Sequence, residues 1–171
     1  MGKQNKIPKL LVISSARWGK DSFGEILRDN FGVTFTSSSQ AAADIFIYDR
    51  LKDKYGYSTP EECFIDRMNR RAEWHELICE YNIDDKAKLA KEILKQSHVY
   101  IGMRDKEEIK ECIKQGLFDL IVWVDASKRL PEEDSSSFNI DISCADIIID
   151  NNDDYETFKK RAIRLGNTLF N

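Results

Sequence analysis

This sequence predicts an α/β fold in which a mostly parallel, five-stranded sheet lies between helices on both of its faces. Three observations lead there. Five short segments, "KLLVISS", "GVTFTSSS", "HVYIGM", "LFDLIVWVDAS" and "ADIIIDNN", have interiors that are nearly all apolar, as strands covered on both faces require. Helix-length segments with polar starts and glycine stops separate them. Strands alternating with helices in this way pair in parallel.

Taken in order, the apolar run "KLLVISS" ends in small polar residues, and a helix from about Asp21 to Asn30 follows, with Gly32 as its stop. After the second strand, Ser38 or Ser39 can cap the helix "QAAADIFIYDRLKDKYG". In "STPEECFIDRMNRRAEWHELICEYN", Ser58 or Thr59 can cap, Pro60 opens the helix, and Glu61 and Glu62 sit at its positive end. "IDDKAKLAKEILKQS" reads as a further helix. The third strand, "HVYIGM", leads into the helix "RDKEEIKECIKQG", which Gly116 ends, and then into the long fourth strand. Residues 127–143 are polar and turn-rich, too long for a tight connection. The last strand precedes a closing helix, "DYETFKKRAIRLGNTLF".

A chain of 171 residues suits one domain, expected over 1–171, and 42% hydrophobic with 33% charged residues describes a globular protein. No apolar run reaches the roughly 20 residues needed to cross a bilayer. No signal-peptide core follows the N-terminal "MGKQNKIPK", so a cytoplasmic location is the default expectation. "MGKQNK" has Lys6 where an N-myristoylation signal wants Ser or Thr. Cys63, Cys79, Cys112 and Cys144 lack CxxC spacing and read as reduced core residues. A net charge of −4 weakens any reading as a nonspecific nucleic-acid binder, although a local basic cleft remains compatible with it.

Between the first strand and the first helix stands "SSARWGKDS", Ser14 to Ser22. The phosphate loop GxxxxGK[ST] wraps phosphate oxygens in backbone N–H groups at a helix N-terminus, while its lysine reaches the outer phosphates. Gly19, Lys20 and a hydroxyl at Ser22 fit this pattern; Ser14 replaces the first glycine, and Asp21 displaces the hydroxyl by one position. Ser14 is tolerable provided its φ stays negative. Ser15, Ala16, Arg17, Trp18, Gly19, Lys20, Asp21 and Ser22 are therefore the candidate nucleotide-binding residues, with Ser22 and Asp21 as metal ligands. The alternative is an ordinary strand-to-helix turn with a solvated lysine.

"SARWGKDS" followed by "FGEIL" resembles the GKD[ST] loop of bacteriophage deoxynucleoside monophosphate kinases. The likeness extends through "HVYIGMRDKEEIKECIKQGLFDLIVWVDAS" to "ADIIIDNND" and the final helix, and is weaker between residues 33 and 96. It implies a three-layer P-loop kinase fold, ATP and Mg²⁺ as cofactors, and a short lid at about 127–143. Gly102 stands where a relative would carry an acidic metal-shell residue, which leaves Ser22, phosphates and water for the ion, with Asp21 or Asp125 as further candidates. A related branch of phage kinases phosphorylates the hydroxymethyl of 5-hydroxymethyluracil in DNA. The compact chain, short lid and altered loop resemble that branch, so the expected acceptor is DNA containing that base; a free deoxynucleoside monophosphate is the alternative, and a non-catalytic nucleotide-binding module the third reading.

Phosphoryl transfer asks mainly for positioning and positive charge. Lys20, Arg104 just after the third strand, and Arg129 beside Lys128 in the lid are the expected catalytic cations. Ordinary surface pairing or solvation is the alternative for the last three. On the acceptor side, about 39–96, Arg67, Arg71 and Trp74 recur at helical spacing and could hold a phosphate and stack a base; equally, neighbouring acids could neutralise the arginines and Trp74 could be core. Ser38, near the end of the second strand, and Arg50, in "YDR", complete the expected acceptor contacts. An alcohol acceptor needs a carboxylate to take its proton, for which Asp49 is the first candidate and Asp44 and Asp66 the others.

Overall fold

The computed structural model describes residues 6–134 and 137–171. The start of the "MGKQNK" segment and two residues of the expected lid, 135 and 136, lie outside the described residues. In chain order the elements are β1 (Leu10–Ile13), α1 (Lys20–Phe31), β2 (Phe35–Ser37), α2 (Ser38–Ala42), α3 (Tyr48–Tyr55), α4 (Pro60–Asp66), α5 (Arg71–Tyr81), α6 (Lys88–Leu94), β3 (Val99–Ile101), α7 (Lys106–Lys114), β4 (Leu120–Asp125), β5 (Ile147–Asp150) and α8 (Tyr155–Phe170). A π-helical stretch, Ala43–Ile47, joins α2 to α3, and 3-10 turns cover Arg67–Asn69 and Ile142–Cys144.

The five strands form one sheet in the order β2-β3-β1-β4-β5, and every pairing is parallel. Each strand of the centre feeds both faces, because successive side chains point opposite ways. Leu11, Ile13, Tyr100, Ile121 and Trp123 pack with residues of α2 and α4–α7. Leu10, Val12, Val99, Ile101, Val122 and Val124 pack with α1 and α8 on the other face. Residues of this kind, fully buried, contribute about 1.5–3 kcal/mol each. The three layers expected from the apolar strand interiors are thus present. No helix among the described residues is long and apolar enough to cross a membrane.

Several local expectations shift. Ser37, not Ser38 or Ser39, caps α2, accepting from the Gln40 N–H at 3.2 Å. Thr59 caps α4 and Pro60 opens it, but the helix expected to run on from there breaks at residues 67–70. The Asp66 carboxylate takes Asn69 Nδ2 at 2.6 Å and Arg70 Nε at 3.2 Å, while Arg67 Nη1 donates to the Phe64 carbonyl at 2.7 Å. Such side-chain bonds compete with the helical ladder. Among the cysteines, Cys63 and Cys112 are buried as expected, whereas Cys79 is exposed and Cys144 half-buried.

At the C-terminal edge of the sheet, β1 passes into α1 beside the turn after β3 and the segment after β4. Ligands of open α/β sheets collect at this edge.

Candidate functional site

The loop between β1 and α1 is built inward. Ser14, Ser15 and Trp18 are buried, while Ala16 and Arg17 are exposed. Ser14 is not among the residues with positive φ, and its Oγ donates to the Ser15 carbonyl at 2.9 Å, so the missing glycine leaves no strain at that position. Positive φ falls instead on Arg17 (65°) and Gly19 (104°). Gly19 is required twice over: besides its φ, a Cβ there would lie 2.5 Å from Asn151 Nδ2, which donates to the Trp18 carbonyl at 2.8 Å.

Gly19 also leaves the start of α1 without a side-chain cap, whereas α2, α4, α7 and α8 each carry one. The first-turn N–H groups of α1 therefore face outward with their partial positive charge, a ready anion site. Lys20 begins this helix and is half-buried, with no ion pair among the described residues. Burial holds its ammonium below the usual lysine range, and the charge of Arg104 adds to the effect, while Asp21 and Glu133 oppose it. Asp21 is exposed and Ser22 half-buried at the same helix start.

The turn after β3 carries Gly102 at φ 96°, where a Cβ would meet Ser38 Oγ at 3.4 Å and Lys20 Cε at 3.7 Å. Glycine here has a reason of its own: a side chain at this φ would strain the backbone, although its Cβ would make only ordinary contacts. Ser38 Oγ donates to the Gly102 carbonyl at 3.1 Å, which ties the start of α2 to this turn.

The segment after β4 lies across the loop. Trp18 Nε1 donates to the Pro131 carbonyl at 3.0 Å, and the Glu133 N–H donates to Ser15 Oγ at 3.2 Å. The Glu133 carboxylate pairs with Arg104 through Oε1; its side chain is 10% exposed, and Oε2 is buried without a hydrogen-bond partner among the described residues. The Arg104 guanidinium also lies over the Phe138 ring at 5.4 Å. At either end the segment is stitched down, by Arg129 Nε to the Asn151 carbonyl at 2.6 Å and by the Asn139 N–H to the Arg104 carbonyl at 3.2 Å. Glu133 carried no signal in the sequence beyond being one acid in "LPEED"; its partners are far off in the chain.

On the acceptor side, burial holds the Arg67 guanidinium below the usual range, the Asp21 charge opposes this and the Arg71 charge adds to it. Arg67 also lies 3.8 Å over the Phe64 ring. Arg71 Nη2 contacts Met68 Sδ at 3.5 Å. Trp74 is 5% exposed and belongs to the core, as the core alternative holds, and its Nε1 lacks a partner among the described residues. Asp49 is exposed and pairs with Lys52 at 2.7 Å; Arg50, also exposed, pairs with Glu80 at 2.6 Å. Asp44 accepts from Gln40 Nε2 at 3.2 Å, and Asp66 accepts from Tyr57 as well as from Asn69 and Arg70. The structure pairs Arg104 with Glu133 and sets the Lys20 stem beside Gly102; the charges of Asp21, Arg104 and Glu133 bear on Lys20, and that of Asp21 on Arg67. The contacts of Asp49 and Arg50 run to α3 and α5 instead.

No family model matches the chain, and no curated protein sequence does. Solved structures do resemble it: shikimate kinase from Aquifex aeolicus at a TM-score of 0.51 and 14% identity, over 95% of this chain and 99% of that one, and shikimate kinase from Bacteroides thetaiotaomicron at 0.51 and 10%, over 95% and 98%. The chain has the P-loop kinase fold of these neighbours.

Proposed function

We propose that the protein is an ATP-dependent phosphotransferase that moves the γ-phosphate to a deoxypyrimidine acceptor, the hydroxymethyl group of 5-hydroxymethyluracil in DNA. One observation carries the kinase reading: α1 starts without a side-chain cap at the C-terminal edge of the sheet, and its first residue, the half-buried Lys20, has no ion pair among the described residues and feels the charge of Arg104. A triphosphate placed there would receive backbone N–H groups at its inner phosphates and cationic charge where negative charge accumulates during transfer. Ser15 to Ser22 would enclose it, with Arg129 at the nucleotide side. The solved neighbours, which are shikimate kinases, support a kinase core.

Mg²⁺ fits the residues present. Among the described residues no group of three ligating side chains exists, but Mg²⁺ ordinarily takes one or two protein oxygens plus phosphates and water, and Ser22 and Asp21 supply hard oxygen donors at the helix start. When bound, the ion would neutralise charge on the outer phosphates. Arg67 and Arg71 would hold an acceptor phosphate, whether in a DNA strand or on a free nucleotide, beside Ser38. That local basic wall answers the overall charge of −4.

A free deoxynucleoside monophosphate is the second reading, favoured by Arg67 and Arg71, whose charges bear on one another: a phosphate acceptor needs cations and no base. Labelled ATP offered with hydroxymethyluracil DNA, or with free deoxynucleotides, separates the two. Label entering the polymer is the expected result; label only in soluble diphosphates would replace the first reading with the second. Lys20→Ala should lower transfer by about 10²–10³-fold. Nucleotide binding with no transfer to either acceptor would leave a non-catalytic binding module.

A further inference from the structure

We infer that Glu133 is the general base of the transfer, an inference that rests on the alcohol-acceptor reading above. An alcohol attacking phosphorus must shed a proton, so a carboxylate has to stand within hydrogen-bond reach of it. The expected candidates are otherwise engaged. Asp49 is exposed and paired with Lys52, Asp44 accepts from Gln40, and Asp66 accepts from Tyr57, Asn69 and Arg70. Asp125 accepts from Asn152 Nδ2 at 2.9 Å and from the Ser127 N–H at 3.3 Å.

Glu133 differs in three respects. Its backbone is anchored to the phosphate loop itself, through its own N–H to Ser15 and through Pro131 to Trp18. Its carboxylate is bonded to Arg104, one of the cations expected at the migrating phosphoryl group. Its two oxygens are unequal: Arg104 orients Oε1, while Oε2 is buried with no donor among the described residues. An ionised carboxylate oxygen can only accept, and burying one without a donor is costly. A triphosphate brings no hydrogen to complete it; an acceptor hydroxyl does.

In the step this assigns, the hydroxymethyl oxygen forms a bond to the γ-phosphorus of the bound nucleoside triphosphate. The bond from that phosphorus to the β–γ bridging oxygen breaks, its electron pair leaving with the diphosphate. The hydroxyl proton passes to Glu133 Oε2, from which solvent later removes it.

Glu133→Gln tests this, since the amide keeps an oxygen for Arg104 and cannot take the proton. With hydroxymethyluracil DNA as acceptor, single-turnover transfer should fall by about 10²–10⁴-fold, while the Mg-ATP dissociation constant measured by calorimetry stays unchanged and reports an intact fold. Undiminished transfer would overturn the assignment. So would a weakened Mg-ATP affinity, the mark of a metal ligand, or a strengthened one, the mark of a carboxylate that merely blocks the phosphate site. Should the variant fail to fold, wild-type single turnovers in H₂O and D₂O serve instead: a normal solvent isotope effect is expected, and its absence refutes proton transfer to a base. Wild-type protein that labels no DNA removes the functional reading and this inference together; wild-type transfer that Glu133→Gln leaves intact removes only the inference.

Discussion

Gly19→Ala is the substitution whose cost can be worked most directly from the structure. Its φ of 104° puts an L side chain in the left-handed half of the map, at roughly 1–2 kcal/mol. The new Cβ would lie 2.5 Å from Asn151 Nδ2, so Asn151 must withdraw from the buried Trp18 carbonyl, at about 1–3 kcal/mol. The sum is about 2–5 kcal/mol. Gly32 provides the internal control: at φ 66° it carries the backbone strain, yet a Cβ there meets nothing within 4 Å, so Gly32→Ala should cost only that strain, about 1–2 kcal/mol. Melting temperatures of chains this long move about 2–4 °C per kcal/mol. Gly19→Ala is therefore expected to melt roughly 4–20 °C below wild type, and Gly32→Ala roughly 2–8 °C below it. Paired thermal and urea unfolding curves measure both. Equal losses in the two variants would refute the steric argument and, with it, the claim that Asn151 fixes the loop.

Two further expectations follow from neighbouring residues. Gly102→Asp, which places an acid in the turn after β3, should weaken rather than improve Mg-ATP binding, because φ 96° strains an aspartate backbone and so disturbs the turn beside Lys20; tighter binding in calorimetry would show that the glycine is a simple loss. Burial pushes the Glu108 carboxyl up to about 7 from 4.5, opposed by the Asn82 amide that donates to it at 3.0 Å. Between those values the folded chain keeps a proton that the unfolded chain has released, so wild-type stability falls as pH rises through that window, by up to about 3 kcal/mol above it. Glu108→Gln should remove that loss, gaining on wild type in urea unfolding at pH 8 and not at pH 4; a pH-independent difference would refute the assignment.

The legible part of this protein was local. The apolar strand interiors, the glycine stops at Gly32 and Gly116 and the Pro60 helix start lie in short windows, and each is found where expected. The loop from Ser15 to Ser22 was equally readable, because a strand, a turn and a helix N-terminus need only adjacent residues. The single helix expected through Asp66 is interrupted at residues 67–70 before it resumes as α5, for the opposite reason. Its periodicity was sound, but Asp66 finds Tyr57, Asn69 and Arg70 once the chain folds, and those bonds outcompete the ladder. Trp74 shows the same limit: spacing put it on the face of Arg67 and Arg71, and packing put it in the core.

By itself, then, the sequence determined the parallel three-layer architecture and the position of the turn between β1 and α1, since hydrophobic periodicity and turn chemistry act over a few residues. The folded chain alone decided which charges meet that loop. Glu133 reaches Ser15 across 118 positions and Arg104 across 29, and Trp18 reaches Pro131 across 113. Contacts of that separation leave no periodic trace, because they arise from the crossing of β3, β1 and β4 side by side and not from anything the intervening residues share.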